Sequence, residues 1–163
     1  MSGFSNTKAD MGFLKKRLNQ SIAAGERLVG SEFWMRIKGY ENLSILVLTA
    51  QLPEMTREDV EGYAPSGMKI NQHGPVRNSG EIQVTCAETI KGDVFKAVRQ
   101  MVYGKEYVDI ELQAAAESNS GADGGLTRKL LHCKVYCDAV DFGSEDVTTV
   151  VRPNLRIVYN WAE

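Results

Sequence analysis

Apolar and polar residues alternate with a period of two in several segments of this chain, the pattern of strands with one covered face. From Gly67 to Met101 it predicts a hairpin feeding directly into a helix. Met68 and Ile70 alternate with Lys69 and Asn71 in one arm, and Ile82, Val84 and Cys86 with Glu81, Gln83 and Thr85 in the other. Between them His73-Gly74-Pro75 and Asn78-Ser79-Gly80 are turn residues, so Gln72 to Ser79 is expected to be a projecting tip. After Thr89 as N-cap, Ile90, Val94, Val98 and Met101 form one helical stripe that ends near Gly104.

On either side of this unit the pattern adds further elements. Met11, Leu14, Leu18 and Ile22 predict a helix from about Ala9 to Ala24, entered through Thr7-Lys8-Ala9-Asp10 and stopped by Gly25. Gly12 inside it costs about 1 kcal/mol relative to Ala, so the helix needs a surface to pack on, such as a neighbouring copy. Its Lys15, Lys16 and Arg17 are either a solvated face or a contact for an acidic partner. Phe33, Met35 and Ile37 share one face of a strand, and Ser44 to Ala50 is apolar on both faces, as in a strand covered on both sides. Glu54 to Ser66 is charged and contains Gly62 and Pro65, which predicts an exposed excursion.

Tyr107 to Ala115 alternates, with Val108, Ile110, Leu112 and Ala114 inward. Glu117 to Gly125 has loop composition. Arg128 to Asp141 predicts a long strand with Leu131, Cys133, Val135, Cys137 and Ala139 on one face, and Leu155, Ile157, Tyr159 and Trp161 a last one. Seven strands and two helices without βα alternation indicate a mainly β (α+β) chain. The expected form is an antiparallel β-sandwich or barrel with a flanking α-helix, residues 31–163, preceded by an N-terminal helical arm, residues 1–30.

Composition and chemistry narrow the function. With 163 residues, 43% hydrophobic and 25% charged, the chain can bury a core, and a net charge of −2 gives no case for stable nucleic-acid binding. No apolar run approaches the roughly 20 residues that cross a bilayer, and no secretory signal is visible, so a cytosolic site of synthesis and no membrane partner are expected. There is no phosphate loop, dinucleotide fingerprint or His-Glu-x-x-His. Cys133 and Cys137, four apart on one strand, lie about 13 Å apart, too far for one zinc site or a mutual disulfide. A Cys86–His73 nucleophile pair lacks a third orienting group, and Asp109 with Glu111 lies on a solvated strand face. No catalytic residue, cofactor or metal is expected, and the three cysteines are expected to serve packing.

Phe33-Trp34-Met35-Arg36-Ile37, Ala50-Gln51-Leu52-Pro53, Gly67 to Ile70 with Gly80 to Val84, Asp93 at the helix start and a terminal strand Ile157 to Glu163 follow in an order that resembles the tail tube proteins of contractile-tailed bacteriophages, relatives of type VI secretion tubes. The resemblance covers about residues 30 to 163 and implies a β-barrel-like subunit of stacked hexameric rings, inside a contractile sheath, whose lumen conducts DNA during ejection. It also implies tail sheath, tape measure and baseplate proteins as partners and a place in the virion tail after assembly in the host cytoplasm. A tube-initiating baseplate protein or a type VI tube subunit is the alternative. The hairpin tip, His73, Gly74, Pro75, Val76, Arg77 and Asn78, and the arm residues Met11, Leu14, Leu18 and Ile22 are the expected subunit contacts. Lys69, Asn71, Glu81, Gln83 and Thr85 suit a wet channel wall.

Overall fold

The computed structural model describes residues 8–115, 126–145 and 147–163. The chain divides into two units, Met1–Ser31 and Glu32–Glu163. In the first, α1 runs from Met11 to Ala23. Asp10 caps it, its carboxylate accepting from the N–H groups of Gly12 and Phe13 at 3.0 and 3.2 Å, and Gly25 leaves it at φ 91°. Thr7, the expected start of the capping box, lies outside the described residues.

The second unit contains, among the described residues, strands β1 (Phe33–Ile37), β2 (Val47–Thr49), β3 (Thr56–Tyr63), β4 (Lys69–Arg77), β5 (Gly80–Cys86), β6 (Val108–Ala114), β7 (Thr127–Cys137), β8 (Asn154–Tyr159) and β9 (Trp161–Ala162), and helix α2 (Asp93–Tyr103). The main sheet is antiparallel and nearly closed into a barrel, in the order β1-β6-β7-β8-β5-β2, with β9 also pairing β7. Its inward residues build the core: Met35, Ile37, Ile82, Val84, Ile110, Leu112, Leu130, Val135, Leu155 and Ile157 are each at most 3% exposed. α2 covers this core with Val94, Val98 and Met101, three of the four residues of the expected stripe. Near the C-terminal end of α2 the Tyr40 hydroxyl donates to the Glu106 carboxylate. Burial first, then that bond and the Glu106 charge, push the Tyr40 hydroxyl up to about 12.

Several expectations are corrected. The arms Gly67–Asn71 and Gly80–Cys86 do not pair. β4 pairs β3, while β5 lies between β8 and β2. The segment Glu54 to Ser66, expected as an excursion, supplies β3, and the tip is the turn at Ala64–Gly67. His73, Gly74, Pro75, Val76 and Arg77 are therefore residues of β4, and only Asn78 and Ser79 link it to β5. Ser44 to Ala50 is not a strand covered on both faces. It holds a short edge strand after a 3₁₀ turn at Glu41–Leu43, with Ile45 88% exposed. Ile90 is fully exposed and precedes α2, whose entry turns on Gly92 at φ 73°.

The long strand β7 changes face. Leu131 and His132 together stand opposite Asp109, with Leu130 facing Ile110 and Cys133 facing Val108, a bulge that buries Leu130 in place of the expected Leu131. His132 adopts φ 56° there, its N–H held by Asp109 Oδ1 at 3.2 Å, its carbonyl accepting from Asn160 Nδ2 at 2.9 Å, and its ring stacked on Tyr107 at 4.0 Å. At this corner β7 passes from β9, paired at Leu130–Leu131, to β8, paired from Lys134. The same corner flips the terminal strand: Tyr159 is buried, Trp161 is 51% exposed and Ala162 is buried. The segment Glu117 to Gly125 lies outside the described residues.

Candidate assembly surfaces

β3 and β4 form a two-stranded ribbon that pairs with no other described strand. Its turn is written in Ala64-Pro65-Ser66-Gly67, with Pro second and Gly last. The Gly67 N–H reaches the Ala64 carbonyl at 2.9 Å, and Gly67 takes φ 80°. At the base, Gly74 and Pro75 together oppose Glu58, since Asp59 pairs with His73 and Arg57 with Val76. Proline, which cannot donate, sits at this bulge. A Cβ on Gly74 would lie 2.6 Å from the Glu58 carbonyl oxygen, so only glycine fits.

The ribbon is exposed on both faces. One face carries Asp59, Glu61, Tyr63, Lys69, Asn71 and His73, with Lys69 Nζ 2.9 Å from Glu61. The other carries Val60 and Ile70, 40% and 50% exposed, and Glu58 paired with Arg77 at 2.6 Å. Exposed ion pairs of this kind are each worth about 0–1 kcal/mol, and a lone two-stranded ribbon is marginal in water. Packing against further protein would supply what the ribbon itself lacks.

The five residues expected on a common channel wall fall into two groups. Lys69 and Asn71 share the polar ribbon face, whereas Glu81, Gln83 and Thr85 share the outer face of β5, opposite Val158, Arg156 and Asn154. There Arg156 lies 3.6 Å from Glu81 and its guanidinium 5.1 Å over the Tyr136 ring, with Lys134 5.8 Å from the same ring. β1 and β2 are the edges of the main sheet, and β2 covers only the end of β5, at Thr85 and Cys86. Nearer the start of β5 the Gln83 N–H donates to Gln51 Oε1 at 3.0 Å, a side chain standing where a strand would pair.

In the arm, Met11, Leu14, Leu18 and Ile22 are 49–73% exposed, and no residue of α1 is buried. The thiols carry no activated chemistry. Burial pushes Cys86 up to about 11 and Cys133 up to about 12, and it raises Cys137 as well. Cys86 and Cys133 are fully buried and Cys137 is half-buried. Sequence reasoning missed β3 and the ribbon turn. The signal was the Ala64-Pro65-Ser66-Gly67 turn, which outranks the Gly74-Pro75 pair because the latter sits in a bulge.

No protein-family profile and no curated protein matches the sequence. Solved structures do match. A chain of the sheath-tube complex of an extracellular contractile injection system, PVC, in the extended state, has TM-score 0.63 and 14% identity over 88% of this chain and 95% of its own. A chain of the anti-feeding prophage cap, the AFP tube terminating cap, has TM-score 0.65 and 11% identity over 98% and 97%. A chain of the six-fold symmetrised AFP baseplate has TM-score 0.61 and 12% identity over 85% and 95%. At such identities the likeness is one of fold: this chain has the mainly antiparallel, barrel-like fold found in components of contractile injection systems.

Proposed function

We propose that this chain is a structural subunit of the tail tube of a contractile-tailed bacteriophage. Copies close into hexameric rings, the rings stack inside a sheath, and the lumen conducts DNA during ejection. The observation that carries this is the β3–β4 ribbon: a paired element, exposed on both faces, with Val60 and Ile70 open on one of them and no other described strand beside it. An element of this kind is stable once it lies against or extends the sheet of a neighbour, and a head-to-tail contact that closes makes a ring. The likeness to chains from sheath-tube and six-fold baseplate assemblies supports the same reading. Tail sheath, tape measure and baseplate proteins are its partners.

A second reading, an end piece of the tube, is favoured by one observation. The match to the tube terminating cap spans 98% of the chain and so extends over the arm as well as the β unit. Negative-stain microscopy and native mass measurement of the purified protein test both. Rings that stack into tubes are the expected result; rings that never stack favour the end piece, and a monomer at all concentrations overturns both.

A further inference from the structure

We propose that the apolar stripe of α1 seats in the groove of the β7–β8 connection of a second copy of this chain. This rests on the self-assembly put forward above and adds the receiving site. The described residues of the connection, 138–145 and 147–153, hold a groove of about 910 Å³ whose apolar lining, Ala139, Val140, Phe142, Val150 and Val151, shares the walls with polar residues such as Arg152. Its ends are fixed to the sheet: the Glu88 N–H donates to the Val151 carbonyl at 3.0 Å, the Cys86 N–H to the Pro153 carbonyl at 3.0 Å, and the Asp138 N–H to the Asn154 carbonyl at 3.0 Å. Between those anchors Phe142 is 82% exposed, Val147 91% and Val150 53%. An apolar groove on a rigid base is a receptor for a helix that presents anchors at i, i+3 and i+7.

α1 is such a helix. Met11, Leu14 and Leu18 fall at those spacings, with Ile22 one turn further, and a helix of this length is marginal in water without a surface to pack on. The charges match. The arm carries Lys8, Lys15, Lys16, Arg17 and Arg27 against Asp10 and Glu26, net +3, which leaves −5 on residues 32–163. The groove is flanked by Asp138, Asp141 and Glu145, all exposed, against Arg152. Lys15 lies beside the stripe on the helix surface, four residues after Met11 and three before Leu18, so seating the stripe brings its ammonium to the rim.

Carbodiimide cross-linking of full-length protein tests this. Nitrogen-14 and nitrogen-15 subunits are mixed as monomers before assembly, and linked peptides are read by mass spectrometry. The expected result is links from Lys15 or Lys16 to Asp141 or Glu145 in mixed-isotope pairs, falling at least tenfold in both L18D and F142D, each exposed and therefore foldable. Rings that assemble without these links overturn the docking and leave the tube reading standing. Mixed-isotope links without any ring or tube support the docking and overturn the tube reading. Links within one isotope only, or an arm that binds vesicles of anionic lipid while giving no link, overturn the docking.

Discussion

Gly74 and Glu58 approach so closely across the ribbon that a side chain on the first would meet the backbone of the second, at 2.6 Å from its carbonyl oxygen. The same carboxylate that Glu58 projects holds Arg77, with Arg77 Nε 2.9 Å and Nη2 2.6 Å from Glu58 Oε1, and raises the Arg77 guanidinium further. Glu58 thus holds both sides of the bulge, its backbone against Gly74 and its carboxylate on Arg77.

Gly74→Val should therefore distort the ribbon and spare the barrel core, since no residue of β3 or β4 is buried. The melting temperature is expected to move by no more than roughly 4 °C, equivalent to about 1 kcal/mol or less, while ring or tube yield falls at least tenfold. Thermal melts and sedimentation measure the two separately. Unchanged assembly with a distorted ribbon would remove the ribbon from the subunit contact.

The start of α2 is held by Glu88 rather than by its own cap residue. The Glu88 carboxylate accepts from the N–H groups of Thr89, Val94 and Phe95 at 2.9, 3.1 and 3.0 Å, while Thr89 Oγ1 accepts from the Asp93 N–H at 3.2 Å. Gly92 has no side chain to do this. Glu88→Ala should cost about 1–2 kcal/mol, the upper range for losing a helix cap, and Thr89→Ala less. Urea unfolding decides it, and equal losses in the two variants would contradict the assignment.

The buried thiols make stability fall at alkaline pH. Their protonated forms are favoured in the folded protein, so their contribution is complete below the unfolded thiol value of about 8.5. It is then lost as pH rises towards about 11 for Cys86 and about 12 for Cys133, because the unfolded chain releases the protons first. Replacing Cys86 by Ala and Cys133 by Val should flatten the fall in urea midpoint between pH 8.5 and 11 relative to the parent protein. A slope that does not change would show that other groups carry it.

Much of the second unit was legible because period-two alternation reports burial directly. Val108 to Ala114, Ile82 to Cys86 and Leu155 to Tyr159 are inward at the residues the pattern marked. The α2 stripe was legible for the same reason at a period near four, failing only at Ile90, where Gly92 in the left-handed region delays the helix. Met11 to Ala23 was legible from its spacing, whereas its cap is Asp10 itself and not the start of a box opened by Thr7.

Strand partners were decided only by the tertiary structure. Alternation marks a strand but carries no information about its neighbour, so β4 could be assigned to β5 by proximity in sequence when it pairs β3 instead. Turn residues are equally ambiguous: Gly74-Pro75 has the composition of a tip, yet the close approach of Glu58 makes it a bulge inside a strand. The face of Leu131 was lost in the same way, because one extra residue at His132, held by Asp109 of β6 and by Asn160 between β8 and β9, inverts the alternation there. What the chain determines locally is which residues prefer a strand, a helix or a turn. Which of them meet is settled by contacts between distant segments, whose energy no local pattern encodes.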